Sequence, residues 1–407
     1  MTNKFQIGSF QLMKSMNRSL ILNIIRRHEP ISRSEIAKLT KLTPPTVSNL
    51  VKELLQAGIV IEQKLGESSG GRKPTLLTLN GDNFHVVGLD VGSRSIKAII
   101  TTITGKLLVK KNFPLPPEVT KEMLLNFLKE AIHTIKQSGH INVDKIIGIG
   151  VAMHGIVDIE KGESIFAPNL DLQNIPIKEV LEKEFKMAVK VENDARAMSL
   201  GELWFGHGGS YNSFVCVNAG RGIGAGIVIN GKLFHGSNCI SGEIGHMIID
   251  VNGPKCSCGN FGCLQAFASG PAIAEAVKKR IKMGYSGLIS ELAGNDPDKV
   301  TGELVYEAAK KGDQLCTAAL EQAGHYLGIG LTNLIHTLNP DKIIIGGGVS
   351  NAQDFVFDAI NRTVLQKAVT KPAKNTEILI SKFGDDATVM GAVALILVEL
   401  FSTRTAA

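Results

Sequence analysis

At about residue 80 the hydrophobic pattern of this 407-residue chain changes, from a helical period to short apolar strands separated by glycine turns. One layered core cannot serve both patterns, so the chain is read as separate domains with a boundary near residues 80–85. Charge divides at the same place. Residues 1–80 carry twelve Lys and Arg against five Glu, a net +7, which leaves the other 327 residues at −1 of the chain's +6. Basicity confined to one end suits a segment that alone meets a polyanion. A plain solvated tail does not fit, because the same segment has a strong apolar period.

Within that segment Leu20, Ile21, Ile24 and Ile25 predict a helix ending near His28. Ser32-Arg33-Ser34-Glu35 has the spacing of a capping box and starts a second helix, to about Leu39. Thr43 is an N-cap with Pro44 at the first helical position, where a missing N–H costs nothing. The third helix is predicted to reach about Ala57, bury Val47, Leu50, Val51, Leu54 and Leu55, and stop at Gly58. Ile59–Leu65 and Thr75–Leu79 read as two strands joined by a glycine-rich loop, Gly66 to Pro74. Together these make a winged helix-turn-helix over residues 1–80. Its third helix would enter a major groove and present Pro45, Thr46, Ser48, Asn49 and Lys52. Arg72 and Lys73, on the wing tip, suit a narrow minor groove. A small helical domain that binds protein or dimerises is the bland alternative, and it explains neither the basicity nor the wing.

Beyond the boundary the class is α/β. Val86–Val91, Ile96–Ile103 and Leu107–Phe113 form a predicted meander, followed by a helix over Glu118–Lys136 and a strand at Ile146–Ala152. A second set runs Phe214–Asn218, Gly222–Ile229, an Asn230-Gly231 turn, a helix before Asn339-Pro340, a strand Ile343–Ile345 and the turn Gly346-Gly347-Gly348. Two similar halves imply two lobes, about 84–200 plus a C-terminal helix 387–401, and about 201–386. The absence of an 18-residue apolar run or a signal-peptide core, with six cysteines of which three cluster, points to a reducing cytoplasm with no membrane contact.

The cluster lies in GEIGHMIIDVNGPKCSCGNFGC, residues 242–263. His246, Cys256, Cys258 and Cys263, spaced His-x9-Cys-x-Cys-x4-Cys, offer one imidazole and three thiolates, a set that suits tetrahedral zinc. Three reduced cysteines in a glycine loop is the other reading of the spacing. Glu243 lies three residues before the histidine, so an ion that fixes His246 also fixes where a carboxylate points. Asp90-Val91-Gly92-Ser93-Arg94-Ser95 and Asn218 to Gly226 are glycine turns that let backbone N–H groups approach a phosphate, each a weak signal alone. Glu192-Asn193-Asp194-Ala195 ends a predicted strand; an Asn-Asp turn is its plain reading.

In this order the motifs resemble the ROK family (repressors, open reading frames and sugar kinases), from about residue 84 to the end. GEIGH with CSCGNFGC carries most of the likeness, and the Asn252–Asn260 run is similar to xylose repressors. The resemblance implies a two-lobed actin-like fold of the sugar kinase/ATPase, ribonuclease H-like kind. It further implies sugar contacts at Asn169, Asn193, Asp194, Glu243 and His246, and a structural zinc held by His246, Cys256, Cys258 and Cys263. In family kinases the aspartate at the Asp194 position is the general base. Two departures matter. Arg94 and Arg221 stand where the kinases carry phosphate-loop threonines, so the expectation is no enzyme activity, although arginine can itself bind phosphate. Gln265 stands where the family has a sugar-binding glutamate, which removes a charge-assisted hydrogen bond. The expected function is a sugar-responsive repressor. It would sit on a pseudo-palindromic operator as a homodimer, or as a tetramer of two, with xylose as the first sugar and glucose and N-acetylglucosamine behind it. The rivals are an active kinase with an accessory DNA-binding domain and a regulator that answers to a protein partner.

Overall fold

Local rules place the first three helices. In the computed structural model, which describes residues 10–63, 75–138, 141–210 and 212–402, α1 spans Phe10–His28, α2 Arg33–Thr40 and α3 Pro44–Gln56. The Ser32 hydroxyl accepts the Glu35 N–H at 3.3 Å while the Glu35 carboxylate accepts the Ser32 N–H at 2.9 Å, a reciprocal capping box. Thr43 caps α3 by accepting the Thr46 N–H, and Gly58, at φ +68°, ends it. Val47, Leu50, Val51 and Leu54 are buried with Ile21, Ile25, Ile36 and Leu77, whereas Leu55 is only half-buried.

A two-residue strand that the pattern does not predict, β1 (Ile31–Ser32), joins β2 (Val60–Gln63) and β3 (Leu76–Leu79) in an antiparallel sheet of order β1-β3-β2. Two residues are too few to show a period of two, so only the pairing reveals β1. The wing tip with Arg72 and Lys73 lies outside the described residues.

The next stretch runs β4 (His85–Val91), β5 (Ser95–Thr102), β6 (Leu107–Pro114), α4 (Lys121–Lys136), β7 (Ile146–Met153), β8 (Ile156–Asp158), β9 (Glu163–Ala167), β10 (Leu172–Ile175), α5 (Ile177–Phe185), β11 (Val189–Asn193) and α6 (Asp194–Phe205). Its main sheet has the order β11-β7-β4-β5-β6. The helix expected from Glu118 starts at Lys121 because Thr120 caps it, accepting the Met123 N–H at 3.2 Å.

A second sheet, of order β14-β13-β12-β15-β16, is built from β12 (Phe214–Ala219), β13 (Ile223–Ile229), β14 (Lys232–Phe234), β15 (Lys342–Gly346) and β16 (Glu377–Ile380). Strand β12 pairs antiparallel with β13 and parallel with β15, which pairs parallel with β16. Around it lie α7 (Gln265–Ala268), α8 (Gly270–Lys282), α9 (Leu288–Leu292), α10 (Gly302–Lys310), α11 (Gln314–Leu338), α12 (Gln353–Lys367) and α13 (Lys371–Lys374), before α14 (Ala387–Phe401). The core under this sheet joins Val215, Val217, Ile343 and Ile345 to Leu327 and Leu331 of α11 and Ile360 of α12.

Two compact units result, Met1–Ala152 with Ile159–Val191 and Ala392–Ala407, and Met153–Asp158 with Glu192–Gly391. In the second, α14 begins against α6 so closely that a Cβ on Gly391 would lie 1.9 Å from the Ala197 carbonyl oxygen. That contact groups α6 with the first turn of α14. In the first unit the Phe401 carbonyl accepts from Asn23 of α1 at 3.0 Å and from Ser19. Among the described residues no helix is long and apolar enough to cross a membrane.

Candidate functional site

On the winged helix the buried face of α3 turns the opposite face outward. Pro45, Ser48, Asn49 and Lys52 are exposed, and Thr46 is half-buried, its hydroxyl 2.8 Å from that of Thr43. Glu53, the one acid of α3, pairs with Lys14 at 2.6 Å. The outward face is therefore polar and carries Lys52 without an opposing charge of its own helix, the character a groove-reading helix needs.

The second site begins where β11 passes into α6 with no loop between. Asn193 is the N-cap: its Oδ1 accepts the Ala195 N–H at 3.0 Å and the Arg196 N–H at 3.2 Å, while its Nδ2 donates to the Gly155 carbonyl at 3.0 Å. Three of the amide's four hydrogen bonds are thus internal, and the Asn193 side chain also supports the Asp194 carboxylate. Asp194 follows, with Oδ1 on the Ala195 N–H at 2.8 Å and Oδ2 accepting from Asn218 Nδ2 at 3.2 Å. Burial pushes its carboxyl up, opposed chiefly by the charge of His154. His154 itself is buried and carries no motif signature in the sequence.

Behind Asp194 sits a buried network that the sequence reading missed. Glu192 Oε1 accepts from Arg196 Nε at 2.7 Å and from the Asn193 N–H at 2.7 Å, and Glu192 Oε2 meets His235 Nε2 at 2.8 Å. Burial opposes ionisation of Glu192, but the His235 bond and the Arg196 guanidinium outweigh it and hold the carboxyl below its usual range. The i,i+4 spacing of Glu192 and Arg196 was the available signal.

Glu243 arrives from the loop after β14. Gly242 (φ +94°) lies against β13, where a Cβ would sit 1.8 Å from the Ala225 carbonyl oxygen; the Ala225 N–H donates to the Gly242 carbonyl at 2.7 Å. Partial enclosure pushes the Glu243 carboxyl up, with the charges of His246 and Arg196 acting against that and Asp194 adding to it. Asp194, Glu243, His246 and Arg196 therefore share one electrostatic neighbourhood.

His246 closes the short Ile244–His246 turn and faces the cysteines. Its Nδ1 is 3.9 Å from Cys256 Sγ, Cys258 Sγ is 3.7 Å from Cys263 Sγ, and all four donor atoms lie within 4.8 Å of one another. The edge of a tetrahedron with zinc–sulfur bonds of about 2.3 Å is about 3.8 Å, so the donors fit a four-coordinate ion. Burial, followed by the neighbouring sulfurs, pushes the Cys263 thiol up to about 12. Burial also opposes ionisation of Cys256, yet the Cys258 N–H and thiol and the Gln265 amide bring it down to about 7. A cation among the three sulfurs would relieve that opposition. No cysteine is in a disulfide among the described residues, and Cys216 and Cys316 are fully buried.

Gln265, at the start of α7, donates from Nε2 to Cys256 Sγ and to Ser257 Oγ, both at 3.3 Å. Its amide nitrogen serves the cysteine loop and leaves the oxygen for other partners. Asn169 is exposed in the turn after β9 and belongs to the other unit. Arg221 is exposed in the turn Gly220–Gly222, where the Gly220 N–H donates to the Gly222 carbonyl at 2.9 Å. Arg94 occupies the corresponding turn after β4 and is exposed.

With this geometry in hand the comparisons are specific. The ROK family pattern matches residues 86–399, and a winged helix-turn-helix DNA-binding pattern matches residues 17–61. The chain is a member of the ROK family. Along 396 residues it is 34% identical to a xylose repressor of Caldicellulosiruptor bescii, covering 97% of this chain and 99% of that one. It is 32% identical over 391 residues to the N-acetylglucosamine repressor of Escherichia coli O6:H1, covering 96% and 94%. Among solved structures a ROK family transcriptional regulator, a homolog of the E. coli MLC protein, superposes with TM-score 0.83 at 28% identity, covering 96% of this chain and 97% of that one.

Proposed function

We propose that this chain is a sugar-responsive, DNA-binding transcriptional repressor of carbohydrate-use genes. One observation carries the reading: a winged-helix head with a polar outward face on α3 shares a chain with the ROK cluster Asp194, Glu243 and His246. Pro45, Thr46, Ser48, Asn49 and Lys52 read the major groove, and Arg72 and Lys73 reach the minor groove. Two heads of a homodimer match the half-sites of a pseudo-palindromic operator, and two dimers can pair into a tetramer. The protein acts in the cytoplasm.

The sugar is held by Asn193, Asp194, Glu243 and His246, with Asn169 and Gln265 as further contacts. Two acidic side chains in one neighbourhood, with Asp194 adding to the raised proton affinity of Glu243, favour an uncharged polyol over a sugar phosphate, whose added negative charge they disfavour. Xylose is the first candidate, with glucose and N-acetylglucosamine next. Release follows if the sugar binds the operator-free form more tightly, and the coupling is reciprocal. Zinc on His246, Cys256, Cys258 and Cys263 is structural: its four protein ligands leave no open position, and it steadies the turn that presents Glu243.

Arg94 and Arg221 put long cations into both phosphate loops, so the chain is not a kinase. The second reading, an active sugar kinase, draws on Asp194, a carboxylate with raised proton affinity at the position of the family's general base. Fluorescence anisotropy on DNA upstream of neighbouring sugar-use genes, titrated with xylose, glucose, N-acetylglucosamine and their 6-phosphates, separates the readings. Release by one free sugar is the expected result. Operator binding that no sugar relieves points to a protein partner, whereas robust ADP release with any of these sugars would falsify the non-enzyme reading.

A further inference from the structure

The loop that carries Glu243 has few ties of its own to regular structure. Between β14 and Gly242, residues 235–241 form no helix or strand, and Cys239 lies at φ +56°, a left-handed conformation that a side chain disfavours. One backbone bond closes the loop on itself, from the Ser241 N–H to the His235 carbonyl at 3.2 Å. Its anchors come from the junction of β11 and α6. Arg196 Nη1 donates to the carbonyls of Cys239 at 2.9 Å and Ser241 at 3.3 Å, and Glu192 takes the His235 ring at 2.8 Å.

Arg196 is 1% exposed and Glu192 3%, a buried ion pair in which Arg196 Nη1 and Glu192 Oε2 grip one loop, while the buried Arg196 Nη2 has no hydrogen-bond partner among the described residues. A guanidinium suits the task, since its planar fork binds a carboxylate through Nε while Nη1 reaches two carbonyls. A lysine could satisfy the charge but not the three directions. The same strand-to-helix junction holds Asn193 and Asp194 by the bonds described above. Glu192 and Arg196 therefore tie together the two segments that bear the carboxylates.

We propose that Arg196, Glu192 and His235 are positioning residues for ligand recognition: they set the 235–242 loop so that Glu243 is presented in register with Asp194. The proposal rests on the reading of Asp194 and Glu243 as sugar contacts. Arg196 touches no ligand; it acts through Glu243, and its loss loosens the loop without altering the contact groups themselves.

The chain's single tryptophan, Trp204, lies on α6 and supplies a fluorescence readout of sugar binding. Arg196→Lys is expected to weaken sugar binding about tenfold or more, the scale on which misplacing a supporting shell acts. Operator affinity without sugar and zinc content should match the wild type, and amide exchange should rise over residues 239–244. His235 is half-exposed, so His235→Leu carries the test if Arg196→Lys does not fold. It should weaken sugar binding about threefold to tenfold, and His235→Gln, which keeps a donor for Glu192, should restore most of that loss. Sugar affinity within about twofold of wild type in both Arg196→Lys and His235→Leu would overturn the proposal, as would an equal loss of operator affinity. If the wild type binds none of the sugars, the functional reading fails, and exchange over residues 239–244 still decides the positioning role.

Discussion

Helices α3 and α6 both start at a polar N-cap, and they put it to opposite uses. Thr43 caps α3 with a hydroxyl, and the residues after it point outward. Asn193 caps α6 with an amide, and the helix after it is buried from Ala195 to Leu203, with Arg196 and Glu202 inside. The first needs partners only within its own turn and on neighbouring helices and strands of a small core. The second needs His235, Cys239 and Ser241, some forty residues away, because a buried guanidinium and carboxylate are tolerated only when most of their donors and acceptors are matched, here all but Arg196 Nη2. A surface helix can be specified locally; a buried polar one depends on the rest of its unit.

The sharpest way to break this contrast is to strip one partner from the buried pair. Glu192→Ala leaves the Arg196 charge uncompensated and should cost about 4 kcal/mol, seen as a lower calorimetric midpoint. If the loss is below about 1 kcal/mol, the network contributes little and the contrast falls. Leu54→Ala removes a fully buried side chain from under α3 and should cost the winged helix about 3 kcal/mol, reported by the loss of operator binding on warming. Thr43→Ala should cost only about 1 kcal/mol, since it deletes a single exposed cap bond. An effect as large as that of Glu192→Ala would show that the two caps are alike after all.

The smallest effect is a pH dependence. The Ser32 hydroxyl and N–H hold the Glu35 carboxyl below its ordinary 4.5. A carboxylate depressed in the folded state stabilises fully above its unfolded value and loses that contribution as the pH falls through the folded one. Acid should therefore weaken the start of α2 below about pH 4.5, and Glu35→Gln, which cannot ionise, should flatten this part of the profile. Circular dichroism of the chain between neutral pH and pH 3 reads the difference.

Much of the site was legible as residue types and spacing. Four ligand-type residues at short separations announced a metal cluster before any geometry, because a loop of that length brings its own side chains together. Glu243 was legible through its neighbour His246. Arg196 and His235 were not, since the loop they hold or belong to meets Glu192 and Arg196 across some forty residues, and an arginine beside a glutamate at i,i+4 reads by default as a solvated pair; His154 carries no motif at all. Gln265 was visible only as a departure, and its amide turns out to serve Cys256.

By itself the amino-acid sequence determined the winged-helix head, the two glycine-turn halves, the boundaries of α14 and the Cys3His cluster. Each rests on interactions within a few residues: caps, hydrophobic periods and loop closure. Only the tertiary structure decided that β1 joins the wing sheet, that α6 groups with the first turn of α14, and that a buried arginine holds the Glu243 loop. Those outcomes depend on which groups meet once water is excluded, and no local period encodes that.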